Sequence, residues 1–208
     1  MISFTAEAYA GLIAQYNAAI WPAQVVALAL GLIALSLALR ADAPAARVVP
    51  WVLAAAWLWT GLAFHGLWLA ALVWAAWGFA ALFVLQGVLL ALAGLRGRLR
   101  FATAHGPARW AGLGLAVLAP GLHPIAGLLG GGDWTSLRPF ILAPAPLTLF
   151  TFALVLLAAP RAPRHLLIVP ILWSMIAGAV AWELGRTADL VLPLAAAATL
   201  GLSLRAPR

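Results

Sequence analysis

Long apolar runs, broken by short polar gaps, set the pattern of this chain from end to end. Crossing a hydrocarbon core of roughly 30 Å takes about 20 helical residues at roughly 1.5 Å per residue. Seven segments meet or approach that length: 18–39, 48–70, 72–95, 110–130, 141–159, 165–185 and 188–204. No charge separates the second from the third, which predicts a tight turn, and Pro144 and Pro146 predict an irregular start to the fifth. Upstream, Tyr9, Leu12, Ile13, Tyr16 and Ile20 share one helical face, with Ser3 or Thr5 available as a cap. Residues 1–17 therefore read as a short amphipathic helix on the membrane surface, without the basic region or cleavage site of a signal peptide. The expected fold is all-α: one polytopic membrane domain over 1–208, built as a seven-transmembrane-helix bundle.

Arginine placement orients the bundle, because basic residues concentrate in cytoplasmic loops. Ten arginines fall in alternate gaps or the C-terminal tail (Arg40, Arg47, Arg96, Arg98, Arg100, Arg109, Arg161, Arg164, Arg205 and Arg208), and only Arg138 and Arg186 fall on the other side. That asymmetry puts the N-terminus outside and the C-terminus in the cytoplasm. The net charge of +7 is thus topological, and no nucleic-acid partner is expected. Segments one to three and five to seven repeat the same orientations, with Val49-Pro50 and Val169-Pro170 at matching places, as in a parallel repeat joined by a linking helix.

Composition narrows the function classes. The chain is 66% hydrophobic and 8% charged, against roughly 25% charged in soluble domains, which excludes a cytosolic enzyme, a secreted domain and a disordered chain. With no cysteine, disulfides, zinc thiolates and iron–sulfur ligation are excluded; with no lysine, so is a retinal Schiff base. Neither GxSxG, HExxH nor a P-loop occurs, and only His65 and His123 lie well inside segments, too few for a multi-haem cytochrome. No catalytic residue, cofactor or metal site is expected.

Ionisable groups inside a span are expensive, by roughly 2.5–3.5 kcal/mol for Arg, Lys or Asp at the centre, so each needs a reason. His65, His123 and Glu183 lie at one depth toward the outer side, and Gln86 lies near mid-membrane. Trp57, Gly61, His65 and Trp68 share a face that either lines a cavity or forms a packing seam. Gln86, beside Phe79 and Phe83, either cross-links helices or faces that cavity, and Pro120 and Pro124 loosen the helix around His123. Glu183, Arg186 and Asp189 also fit a local surface ion network. Most tryptophans stand near span ends as an interfacial belt, whereas Trp57, Trp59 and Trp173 lie deeper. The expectation is that His65, His123 and Glu183 share one outward-opening cavity, with Trp57 and Gln86 as further candidates.

YNAAIWPAQ at 16–24, WLWTGLAFH at 57–65, FxxLFxLQG at 79–87, PAPLTLFTF at 144–152 and IVPILWSMIAG followed by Asp189 resemble a family of small bacterial integral membrane proteins, the domain of unknown function numbered 6064. The resemblance covers nearly the whole chain and implies a multi-pass protein of the bacterial inner (cytoplasmic) membrane, with no catalytic residue to transfer. Where that family carries Pro-Cys-Pro, this chain has Pro144-Ala145-Pro146, so no thiol chemistry is implied. A small-solute or ion transporter or channel is the leading reading. A non-catalytic sensor or assembly subunit, and an enzyme acting on a lipid or polyprenyl substrate, stay open. The expected partners are the lipid bilayer and a small solute or ion, with a homo-oligomer as an open alternative.

Overall fold

A computed structural model describes residues 5–41, 43–102, 106–129, 138–159 and 162–205, except for the side chains at 123, 124, 127–129 and 205. These residues form eight α-helices and no strand: α1 (Ala6–Ala19), α2 (Ala23–Arg40), α3 (Ala45–Trp59), α4 (Ala76–Leu95), α5 (Gly106–Leu129), α6 (Pro144–Leu157), α7 (Ile168–Glu183) and α8 (Val191–Arg205). With their short continuations, five are long and apolar enough to cross a membrane: Ala23–Arg40, Ala45–Ala71, Ala76–Leu95, Arg164–Glu183 and Thr187–Leu204. One helix overlaps each of the seven apolar segments, and α1 falls where the short upstream helix was expected.

Thr5 caps α1, its Oγ1 accepting from the Ala8 N–H at 3.2 Å. The face carrying Leu12, Ile13 and Tyr16 is buried against Phe64, Leu69 and Ala76. Tyr16 fastens the helix further, since its hydroxyl donates to the Leu142 carbonyl at 2.9 Å and accepts from Trp59 Nε1 at 2.9 Å. Ser3 lies outside the described residues.

After α3 the chain does not stop but widens into a π-helix over Thr60–Trp68, then tightens into a 3₁₀ turn at Leu69–Ala71. The neighbours Phe64 and His65 are both fully buried in this segment. Helix α4 approaches it closely. A Cβ at Gly61 would come within 3.0 Å of Phe83 Cβ, and one at Gly87 within 2.7 Å of Leu58 Cγ.

Helix α6 occupies the centre, buried at all 14 of its positions between α5, α8, α7, α2 and α3. Its hydroxyls are satisfied locally or across the core: Thr148 donates to the Pro144 carbonyl, Thr151 to that of Leu147, and Trp57 Nε1 donates to Thr151 Oγ1 at 2.9 Å. As predicted, its start is irregular, with Ile141 in a left-handed conformation and the helix beginning at Pro144. Beyond its other end, Ala158 pairs with Phe101, which ties the α4–α5 connection to the segment leading into α7.

Candidate functional site

A cavity of about 210 Å³ lies where α1, the π-helical segment, α4, the start of α6, α7 and the α7–α8 turn meet. Its walls are mostly hydrocarbon and aromatic, from Phe64, Leu69, Val73, Phe79, Ala177 and Val180.

One charged group of three residues borders it. Helix α7 ends at Gly185, whose φ of +65° reverses the chain, and the Arg186 N–H returns to the Ala181 carbonyl at 2.8 Å. A 3₁₀ turn at Thr187–Leu190 then presents Asp189. Both Asp189 oxygens receive the guanidinium of Arg138, Nη2 to Oδ2 at 2.8 Å, and Arg186 Nη2 reaches Oδ2 at 2.6 Å. Asp189 is 8% exposed at its side chain, so this is a buried triad of two cations and one anion. The Tyr9 ring from α1 covers it, 4.3 Å from the Arg186 guanidinium carbon. Burial pushes the Tyr9 phenol above the ordinary tyrosine range, although the Arg186 charge pulls the other way.

His65 forms another part of the wall, fully buried and ringed by aromatics. Phe83 lies 4.5 Å away between ring centroids, Trp173 5.0 Å, Phe64 5.2 Å and Phe79 5.8 Å. Neither imidazole nitrogen has a hydrogen-bond partner among the described residues, and neither does Trp173 Nε1. Leaving three nitrogens unpaired in a hydrocarbon setting is costly. Phe83 in turn packs on Trp57 at 4.4 Å between ring centroids, and neither of the two lines the cavity.

The family model described as "Family of unknown function (DUF6064)" matches residues 6–208. The chain belongs to this family. No curated protein and no solved structure matches it.

Of the residues singled out from the sequence of this family member, His65 lines the cavity, while Glu183 is exposed and does not. Trp57 and Gln86 are buried in the helix-packing core, where Gln86 Nε2 donates to the Leu166 carbonyl at 2.9 Å. The side chain of His123, like Asp133 and Trp134, lies outside the described residues. What the sequence reading did not gather into a site is Tyr9, Arg138, Trp173, Arg186 and Asp189. A signal was present: Arg138 and Arg186 are the two exceptions to the arginine asymmetry, and one carboxylate binds both. The donors and acceptors around the cavity suit binding and orientation; among the described residues no three His, Cys, Asp or Glu side chains cluster as for a metal.

Proposed function

We propose that this is a seven-span protein of the bacterial inner membrane, N-terminus outside, whose cavity is the outer loading site of a small-solute transporter. The observation that carries the reading is the fully buried, unpaired His65 on the wall of a mostly apolar cavity that the Arg138–Asp189–Arg186 triad also lines. An imidazole titrates near neutrality when solvated, so it can exchange a proton as a solute enters or leaves. The π-helical stretch beside it supplies the irregular backbone typical of functional helices, and Tyr9 of α1 lines the cavity. The pairing of Phe101 with Ala158 supports the orientation, because it joins two of the arginine-rich connections, and the triad joins the two outlying arginines.

A second reading, a sensor that binds a solute without moving it, is favoured by the close packing of Phe83 on Trp57 in the core and by the wholly buried α6. Proteoliposome uptake across a panel of small carboxylates, alcohols and amines, with and without a pH gradient, separates the two. Transport predicts accumulation of at least one solute, abolished by His65→Phe. If the protein binds a solute but gives no flux above empty liposomes, the transport reading fails and the sensor reading stands. Reporter fusions after Arg47, Arg100 and Arg164 should all report cytoplasm, and an external signal at Arg100 would overturn the topology.

A further inference from the structure

We propose that the strap Arg96–Arg98–Arg100, between α4 and α5, binds the phosphate head group of an anionic phospholipid. The proposal rests on the helices crossing a membrane and is independent of the transport reading.

The strap is held in one shape. After α4 the chain turns at Gly97, whose φ is +58°, and the Arg98 N–H returns to the Ala93 carbonyl at 2.8 Å. From there the side chains alternate: Leu99 and Phe101 are buried, whereas Arg98 and Arg100 are exposed, as is Arg96 before the turn. Phe101 pairs with Ala158, and the Ala159 N–H donates to the Arg100 carbonyl at 3.0 Å, so the strap is fastened to the chain beyond α6. Arg100 Nε donates to the Gly97 carbonyl at 3.0 Å, which orients that guanidinium over the turn.

Neighbouring helices bring further arginines to the same level. A Cβ at Gly94 would lie 3.0 Å from Pro50 Cβ, so Arg47, about one turn before Pro50, stands level with the start of the strap. Gly112 of α5 approaches Leu157 of α6 equally closely, which puts Arg109 level with the Ala158 pairing. Among the described residues no carboxylate offsets this charge, because Glu7 belongs to α1, Glu183 ends α7 and Asp189 borders the cavity at the other end of the helices.

Depth and chemistry select the partner. The exposed indoles of Trp51 and Trp110 mark this end as the bilayer interface, where lipid phosphates lie. An arginine fork matches two oxygens of one phosphate. Arg98 and Arg100 stand on one face of an extended segment, about 7 Å apart at roughly 3.3 Å per residue, so both can reach one head group. Basic clusters of about four to eight residues at a span end recognise anionic lipids. A zwitterionic lipid is disfavoured, since the arginines repel its ammonium.

The test is native mass spectrometry of the full chain in mild detergent, titrated with phosphatidylglycerol or phosphatidylcholine of the same acyl chains. Phosphatidylglycerol should bind at least about fivefold more tightly. At roughly fivefold per arginine, Arg98→Gln should weaken it about fivefold, and Arg98→Gln with Arg100→Gln about twentyfold. Because Arg98 is exposed, the single variant keeps the test intact if the double variant melts early. Arg98→Lys with Arg100→Lys should weaken binding about threefold, because an ammonium keeps the charge and loses the fork. Arg40→Gln, which removes the same charge from the end of α2, should change it less than about twofold at about 0.15 M salt. Glycerol 1-phosphate at the lipid's concentration should displace nothing. The inference is overturned if phosphatidylcholine matches phosphatidylglycerol, if Arg40→Gln costs as much as Arg98→Gln, if the lysine pair binds as the unaltered chain does, or if glycerol phosphate displaces the lipid. Solute uptake without any lipid preference removes this site alone, and lipid preference without uptake removes only the transport reading.

Discussion

Replacing Asp189 with asparagine should destabilise the protein more than removing either arginine that it binds. The carboxylate accepts from both guanidiniums at a site where the three side chains are 8%, 12% and 20% exposed, for Asp189, Arg138 and Arg186 in turn. Removing one partner of a buried pair leaves an uncompensated charge and costs roughly 3–5 kcal/mol. Asp189→Asn leaves two such charges side by side. Partial exposure lets water reach them, and the asparagine oxygen still accepts one bond, which puts the expected cost at about 3 kcal/mol. Arg138→Met is a different perturbation, because Asp189 keeps Arg186 at 2.6 Å and no charge is orphaned. Its cost should be about 1–2 kcal/mol, the loss of charge-assisted hydrogen bonds alone. At roughly 2–4 °C per kcal/mol for a chain of this size, the thermal midpoint should fall by about 6–12 °C for Asp189→Asn and by about 2–8 °C for Arg138→Met. Tryptophan emission during heating in nanodiscs reads both. The difference should persist when salt rises from about 0.1 M to about 1 M, since buried pairs are screened little. A drop for Asp189→Asn smaller than that for Arg138→Met, or one that disappears in high salt, refutes the reading of a buried triad.

The core bond from Trp57 to Thr151 should give a coupling of about 0.6–1.7 kcal/mol in a double-mutant cycle of Trp57→Phe and Thr151→Val, the range for side-chain bonds between membrane helices; additive single effects would dismiss it. Both tyrosines of the chain, Tyr9 and Tyr16, are pushed above the ordinary value of 10 by burial. The folded protein should therefore show no phenolate absorbance as pH rises from about 10 to 11, and unfolding should release the normal titration. Because the native state holds these protons more tightly, stability should be constant below pH 10 and fall above it. A phenolate signal near pH 10 in the native protein would mean that α1 is not seated.

The all-helical character and the places of the apolar helices were legible because hydrocarbon thickness favours long apolar runs that hydropathy shows, and five of these helices, with their short continuations, are long and apolar enough to cross a membrane. Which helix lies at the centre was not. Helix α2 exposes Val25, Val26, Leu32 and Ile33, while α6 is buried throughout, yet both are apolar on every side. Lipid and protein interior select the same side chains, so apolarity does not distinguish a helix facing acyl chains from one facing other helices. Only the hydroxyls of Thr148 and Thr151 hint at the difference. The π-helical turn at Thr60–Trp68 was equally hidden, because hydropathy is blind to hydrogen-bond register.

The site illustrates a different limit. Depth in the membrane can be read from position along a helix, but neighbours also depend on the angle around the bundle axis, which a single sequence does not encode. His65, His123 and Glu183 are alike in predicted depth, yet Glu183 faces outward and His65 faces the cavity. Arg186 stands three residues from both Glu183 and Asp189, so spacing alone leaves its partner undecided. The left-handed Gly185 decides it, by ending α7 and carrying Arg186 around to Asp189. The residue pair that sequence could have singled out was instead the two arginines on the arginine-poor side. Under the proposed topology a basic residue there works against the positive-inside bias, and in this chain both examples meet at one carboxylate on the wall of the cavity. An exception to a topological rule is therefore a sharper pointer to a site than equal depth is, because the exception has a cost that some local interaction must offset.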